Sequence, residues 1–164
     1  MSDISTEMAS SAPTGGFGGA EYNLVAKGAK LEAINLFCTR FDINPELLAE
    51  ERNWKLNYGR KILSCQFSEE QSSVVAVFQY YVIAKCGRKR ALSCSADYGV
   101  FYETPDGATM AGAVGFCRNV GTFAAYPYFR ALFAQLSGEA GLNLPPLPAI
   151  ASMAHIPPKQ ISEG

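Results

Sequence analysis

Residues 74–84, VVAVFQYYVIA, constrain the fold of this chain more than any other feature of its sequence. β-Branched and aromatic residues dominate the segment, which is the composition of a β-strand. Because side chains alternate between the two faces of a strand, each face can be examined separately, and here both are apolar. One face carries Val75, Val77, Tyr81 and Ile83, and the other carries Val74, Phe78, Tyr80 and Val82. One layer of helices covers only one face of a sheet, so we expect the other face to contact another subunit.

The chain is also apolar for its length. It has 164 residues and a mass of 17.7 kDa, which is enough for one domain. Charged residues make up 18% and hydrophobic residues 48%, whereas about 25% of the residues in a typical soluble chain are charged. This apolar surface must be buried in an oligomer or used to bind something.

Charge and residue usage exclude several classes of protein. The net charge of −1 provides no basic surface for nucleic acid. No apolar run approaches the roughly 20 residues that cross a bilayer, and the first residues do not resemble a secretory signal. We therefore expect a cytoplasmic protein that does not insert into a membrane. A single histidine, His155, argues against histidine-based catalysis and multi-histidine metal sites. We expect no metal, no cofactor and no enzymatic activity.

The cysteines are expected to be reduced thiols that pack as small hydrophobic residues. Their number is odd and no two form a Cys-x-x-Cys motif, so neither a disulfide framework nor a zinc site is indicated. They are Cys38, Cys65, Cys86, Cys94 and Cys117.

The pattern predicts four strands followed by a helix, and hence an α+β fold. Strands are expected at about 31–43, 55–67, 74–84 and 89–102, and their short connections imply an antiparallel sheet. The spacing i, i+3, i+4, i+7 of Phe129, Leu132, Phe133 and Leu136 predicts a long C-terminal helix on one face of that sheet.

The ends of the chain are predicted to be flexible. Ser, Gly, Ala and Thr dominate the first 20 residues and cannot anchor a core. We therefore divide the chain into an N-terminal arm at 1–26, a folded domain at 27–153 and a tail at 154–164.

Aromatic residues at the strand ends, and in the crossover between the first two strands, form the candidate binding site. Broad apolar surface with a polar rim is typical of protein-binding sites, and main-chain hydrogen bonds add affinity without sequence specificity. We predict an apolar groove for extended or unfolded polypeptide. The alternative is that these residues belong to the core or to an oligomer interface. They are Phe37, Phe41, Trp54, Tyr58, Phe101 and Tyr102.

Four short motifs resemble the SecB export-chaperone family, in the order and with the spacing of that family. Residues 126–130, YPYFR, resemble the [FY]-P-Y-x-R that opens its long helix, and 142–146, LNLPP, resemble the L-N-L-x-P that follows the helix. Residues 98–101, YGVF, resemble the G-[IV]-F near the end of its fourth strand. Residues 53–56, NWKL, resemble its tryptophan-bearing crossover.

The resemblance implies a four-stranded antiparallel sheet with a long helix on one face, in dimers that pair into a homotetramer. It implies ATP-independent holding of non-native polypeptides, without a cofactor, in grooves between the sheet, the crossover and the final helix. On this basis the groove also includes Leu142, Leu144, Ile150 and Met153. The residues assigned to the oligomer interface are Val75, Val77, Tyr81, Phe129 and Phe133.

The chain departs from the export members of that family in its charge. Those members are strongly acidic and dock the translocase motor SecA through carboxylates on the outer sheet face. Matching the strands places Cys38 and Cys94 at two carboxylate positions, while Asp42 keeps one.

SecB-like proteins without export features often accompany toxin–antitoxin pairs. They bind the C-terminal segment of the antitoxin, and the set can serve in phage defence. We favour this function over delivery of precursors to SecA. A small-ligand-binding or enzymatic α+β domain is the remaining alternative.

Overall fold

Four strands of 14 or 15 residues form a single antiparallel sheet, in a computed structural model that describes residues 19–48 and 55–149. The strands are β1 (Lys30–Ile43), β2 (Lys55–Ser68), β3 (Ser73–Cys86) and β4 (Lys89–Glu103). The described helices are α1 (Ala20–Gly28), α2 (Pro45–Leu48), α3 (Met110–Phe116), a π-helical turn (Cys117–Gly121), α4 (Thr122–Ala124) and α5 (Tyr126–Glu139). The predicted α+β fold class, with a long C-terminal helix on one face, is confirmed.

The order of the strands in the sheet is β1-β4-β3-β2, so β3 and β4 are central and the other two are edges. All neighbouring pairs are antiparallel. The register between β1 and β4 shifts between Leu36 and Cys38, which makes a bulge at Phe37. This bulge changes which residues of β1 share a face of the sheet.

The helices cover one face of the sheet, which we call the covered face. On β3 the alternate residues Val74, Phe78, Tyr80 and Val82 are fully buried there, as the strand pattern predicts. Tyr80 stacks on Phe129 of α5 with ring centroids 5.6 Å apart. The opposite face, which we call the outer face, carries Val75, Val77 and Tyr81, and these remain partly exposed.

α1 includes residues 20–26, which the sequence pattern assigned to the N-terminal arm. Val25 is fully buried, and α1 packs against α3. Gly112 of α3 permits the contact, since a Cβ there would lie 2.6 Å from the Glu21 carbonyl oxygen. Val25 and the partly buried Tyr22 therefore pack this segment against the core.

None of the helices in 19–48 and 55–149 has both the length and the apolar character needed to cross a membrane. Over the same ranges, His, Cys, Asp and Glu form no group of three or more that could hold a metal ion.

Candidate functional site: an apolar groove along the last helix

Residues 142–148, which we call the strap, run back along α5 after the helix ends. At one end of the strap the Leu142 amide donates a hydrogen bond of 2.9 Å to the Ser137 carbonyl. At the other end the Tyr126 hydroxyl donates a hydrogen bond of 2.6 Å to the Pro148 carbonyl. Ser137 and Tyr126 lie near opposite ends of α5, so the strap is antiparallel to the helix.

The local sequence explains this reversal. Gly141 has a φ of +71°, a left-handed conformation that glycine adopts without strain. The Leu142–Ser137 bond and the 3.0 Å bond from the Gly141 amide to the Gly138 carbonyl form a Schellman motif. Proline at 145, 146 and 148 then favours an extended strap, because each ring fixes φ near the polyproline value.

A groove of about 440 Å³ lies between α5 and the strap. Its helical wall includes small and apolar residues, and its strap wall is made of leucines and prolines. The lining includes Pro127, Ala131 and Ala134 on the helix and Leu142, Leu144 and Leu147 on the strap. Leu147 is itself buried, with 2% of its surface exposed, so it anchors the strap to the core.

Two polar side chains of the described residues line this groove. Arg130 is exposed, and it is the one charged residue in the described lining. Ser137 is 5% exposed, and its hydroxyl has no hydrogen-bond partner among the described residues. Burial raises the pKa of the neighbouring Tyr126, and the positive charge of Arg130 opposes that shift. The groove is therefore an apolar channel with one positive charge at its wall, and the Ser137 hydroxyl lies buried beneath it.

The residues predicted for the binding groove lie in three different places. Leu142 and Leu144 line the groove between α5 and the strap. Phe41, Tyr58 and Tyr102 lie on the covered face and pack against the core. Tyr102 is only 6% exposed and makes an edge-on contact with Phe116, so its side chain has little surface left for a client.

Phe37 and Phe101 lie on the outer face of the sheet, away from the groove. Their rings meet edge to face with centroids 6.4 Å apart, and Phe37 is 54% exposed. The Phe37 ring lies over Gly99, whose missing side chain makes room for it. The two aromatic residues form an apolar patch on the outer face.

The residues predicted for the oligomer interface also divide between the two faces. Val75, Val77 and Tyr81 lie on the outer face and are partly exposed. Phe129 and Phe133 are buried within the chain at 1% and 2% exposure, so they belong to its core and offer almost no surface to a second subunit. The spacing that predicts a helix does not indicate which element its apolar side contacts.

Three predicted residues, Trp54, Ile150 and Met153, lie outside the described residues. Conversely, the groove includes Arg130, Ala131, Ser137 and Leu147, which were not predicted to line it. The strap could have been predicted from the glycine that ends the helix, Gly141, and from the leucines and prolines that follow it at 142–148.

One of the two cysteines matched to SecA-docking positions is not on the outer face. Cys38 pairs with Asp97 and lies on that face, as does Asp42 opposite Ser93. Cys94 instead pairs with Phe41 and is fully buried on the covered face, where burial raises its pKa to about 11. A shift of one residue along a strand changes the face, which is why matching the sequences misplaced Cys94.

Comparison with known proteins agrees with this architecture. No family model matches the sequence, and no curated protein matches it. Among solved structures, the chain is similar to the SecB-like chaperone of Mycobacterium tuberculosis, determined in complex with a ChAD peptide from the HigA1 antitoxin. The TM-score is 0.64 at 16% sequence identity, and the match covers 79% of this chain and 94% of that chain. This similarity shows that the fold is SecB-like.

Proposed function

We propose that this protein is an ATP-independent, SecB-like holdase chaperone that binds non-native polypeptide in the groove between α5 and the strap. The groove itself carries the proposal, because its described lining is apolar on both walls and contains one charged residue. The SecB-like fold supports it, since the solved neighbour is a chaperone with a bound peptide.

The dimensions of the groove suit an extended segment of polypeptide. Tyr126 and Ser137 are 11 residues apart on α5, or about 16 Å along the helix axis. An extended chain rises about 3.3 Å per residue, so about five residues can lie along the groove. Apolar walls favour hydrophobic segments that a folded protein would bury, and this selects unfolded clients.

The client we favour is the C-terminal segment of an antitoxin. The bound peptide of the M. tuberculosis chaperone supports this choice, because it derives from an antitoxin. The outer face supports it as well, since Asp97 there accepts a 2.8 Å hydrogen bond from Gln79. The resemblance to the SecB family also matches Cys38, on the same face, to a carboxylate position. A docking surface for SecA would need more free carboxylates there.

We also propose that the chain assembles as a cytoplasmic homotetramer. The support is the apolar surface that one chain leaves uncovered, including Val75, Val77 and Tyr81 on the outer face. Leu31 and Leu36 on the edge strand β1 are about half exposed, at 52% and 49%. Association would remove this surface from water.

A chaperone rather than an enzyme is proposed because the described residues that line the groove include no nucleophile beside a base. Arg130 and Ser137 are the polar side chains in the described lining, and neither arginine nor an isolated buried serine is an activated nucleophile. A small-ligand site would need several convergent polar groups.

Substitution in the groove tests this function. Leu144→Ala should weaken suppression of aggregation of a chemically unfolded client, because it removes apolar surface from the strap wall. Leu63→Ala is the matched control, since Leu63 is 50% exposed on the edge strand β2, away from the groove. Equal suppression by both variants and the wild type, with assembly state unchanged, would contradict the proposal.

The identity of the client is tested separately by purification of the tagged protein from its native host. An antitoxin should co-purify with the wild type and be reduced with Leu144→Ala. Recovery of SecA without a toxin–antitoxin pair would favour general protein export instead.

A further inference from the structure

We infer that the groove prefers client segments in which an acidic side chain lies beside bulky apolar residues, and that Arg130 binds the carboxylate. This inference rests on the proposed function, because it assigns a class of segment to the groove already described. It extends that function from holding apolar chain in general to a chemically selective site.

The first observation is the position of Arg130. It lines the groove together with Pro127 and Ala134, which lie three residues before and four residues after it on the same side of α5. The ion pair recorded among residues 19–48 and 55–149 joins Lys30 to Glu103, so no described carboxylate pairs with Arg130. Its guanidinium is therefore available to a ligand.

The second observation is the apolar character of the walls around that charge. Leu142, Leu144 and Leu147 lie on the strap, and Ala131 and Ala134 lie on the helix. A peptide in the groove would displace water from the guanidinium, and a charge pair is screened less where water is excluded. Arginine also matches a carboxylate with two parallel hydrogen bonds, which a neutral amide cannot reproduce.

Charge also predicts what the groove rejects. A lysine in place of the acidic residue would face Arg130 at close range, and like charges in a partly dry site disfavour binding. We therefore expect the order of affinity to be glutamate, then glutamine, then lysine at that client position.

The test uses three fluorescein-labelled peptides, GSELLWLSG, GSQLLWLSG and GSKLLWLSG, and fluorescence anisotropy with the full-length protein. Wild type should bind the glutamate peptide about tenfold more tightly than the glutamine peptide, and the difference should shrink in 0.5 M NaCl. Arg130→Gln should bind the glutamate and glutamine peptides with equal affinity, and this affinity should be weaker than that of the wild type for the glutamate peptide. Arg130→Glu should prefer the lysine peptide. Arg40→Gln is the matched control, because Arg40 is exposed on β1 and should leave the preference intact.

The outcomes separate this inference from the proposed function. Equal binding of all three peptides by the wild type would overturn the inference while leaving a chaperone groove in place. Failure of the wild type to bind any of them or to suppress aggregation would overturn the proposed function as well. A loss of assembly in Arg130→Gln would show that Arg130 contacts a second copy of the chain and would overturn its assignment to the client carboxylate.

Discussion

The hydroxyl of Tyr126, the first residue of α5, donates a 2.6 Å hydrogen bond to the Pro148 carbonyl at the far end of the strap. Tyr126 is 2% exposed, so the bond is formed largely out of water and holds the groove closed at that end. The Leu142–Ser137 bond holds the other end. The two ends of the strap are therefore each held by a hydrogen bond, and only the first of these bonds uses a side chain.

Removing the side-chain hydrogen bond of Tyr126 should loosen the strap without creating a cavity in the core. Tyr126→Phe keeps the ring, and we expect a loss of about 0.5–1.5 kcal/mol in the free energy of unfolding. Amide hydrogen exchange at 142–149 should accelerate and peptide affinity should fall severalfold. Tyr128→Phe is the matched control, because Tyr128 is 56% exposed and should change none of these. Unchanged exchange in Tyr126→Phe would show that the bond does not hold the strap.

The docking of α1 should depend on the absence of a side chain at Gly112. Gly112→Ala places a Cβ 2.6 Å from the backbone oxygen of Glu21, so α1 must move and expose Val25. We expect a destabilisation of about 1–3 kcal/mol and faster hydrogen exchange at 20–28. Gly115→Ala meets only the Tyr22 ring at 3.5 Å and should be neutral or stabilising by up to about 1 kcal/mol, since alanine favours helix. If both variants unfolded alike, α1 would not be held by this contact.

The thiols should differ in their rates of alkylation at pH 8. A hydrogen bond from the Cys117 thiol lowers the pKa of Cys65, whereas the same bond, together with burial, raises the pKa of Cys117. Burial raises the pKa of Cys94 to about 11, so only about one molecule in a thousand carries its thiolate at that pH. Peptide mass spectrometry should find iodoacetamide on Cys65 before Cys94 or Cys117. Cys117→Ala should slow the reaction at Cys65, and faster labelling of Cys94 than Cys65 would contradict the described packing.

Stability should fall as the pH rises above about 10. Burial raises the pKa of Tyr102 to about 12 and also raises the pKa of Tyr80, Tyr98 and Tyr126. Between pH 10 and 12 the unfolded chain releases these protons while the folded chain keeps them, so the free energy of unfolding decreases with pH. Urea unfolding at pH 8, 10 and 11 measures this slope, which Tyr102→Phe should reduce. Tyrosine absorbance that titrates normally near pH 10 in protein that is still folded would contradict the burial.

The sheet and the long helix were predictable because their signals are local. Alternating apolar residues in 74–84 and the helical spacing of Phe129, Leu132, Phe133 and Leu136 report on neighbours in sequence, and the structure contains both elements. Short turns between strands were sufficient to predict antiparallel pairing. The same period of two separated the residues of the two faces of β3.

The residues that line the groove were not predictable in this way. A core, a groove and an open face are all built from the same apolar residue types, so residue type alone does not distinguish them. The sequence pattern placed Phe37, Phe41 and Tyr102 in one group. In the structure Phe37 lies on the outer face, Phe41 packs at the edge of the core and Tyr102 lies inside the core. A bulge at Phe37 and the pairing register of Cys94 decide the face at each position.

By itself, the sequence determined the order of the strands along the chain, the helix and its glycine stop, since each depends on residues a few positions apart. Only the tertiary structure decided that the strap folds back on α5, that α1 docks through Gly112 and that Arg130 and Leu144 line one groove. Those relationships join residues distant in the chain or dispersed among unrelated patterns. Their geometry is set by how whole elements pack, which no local period encodes.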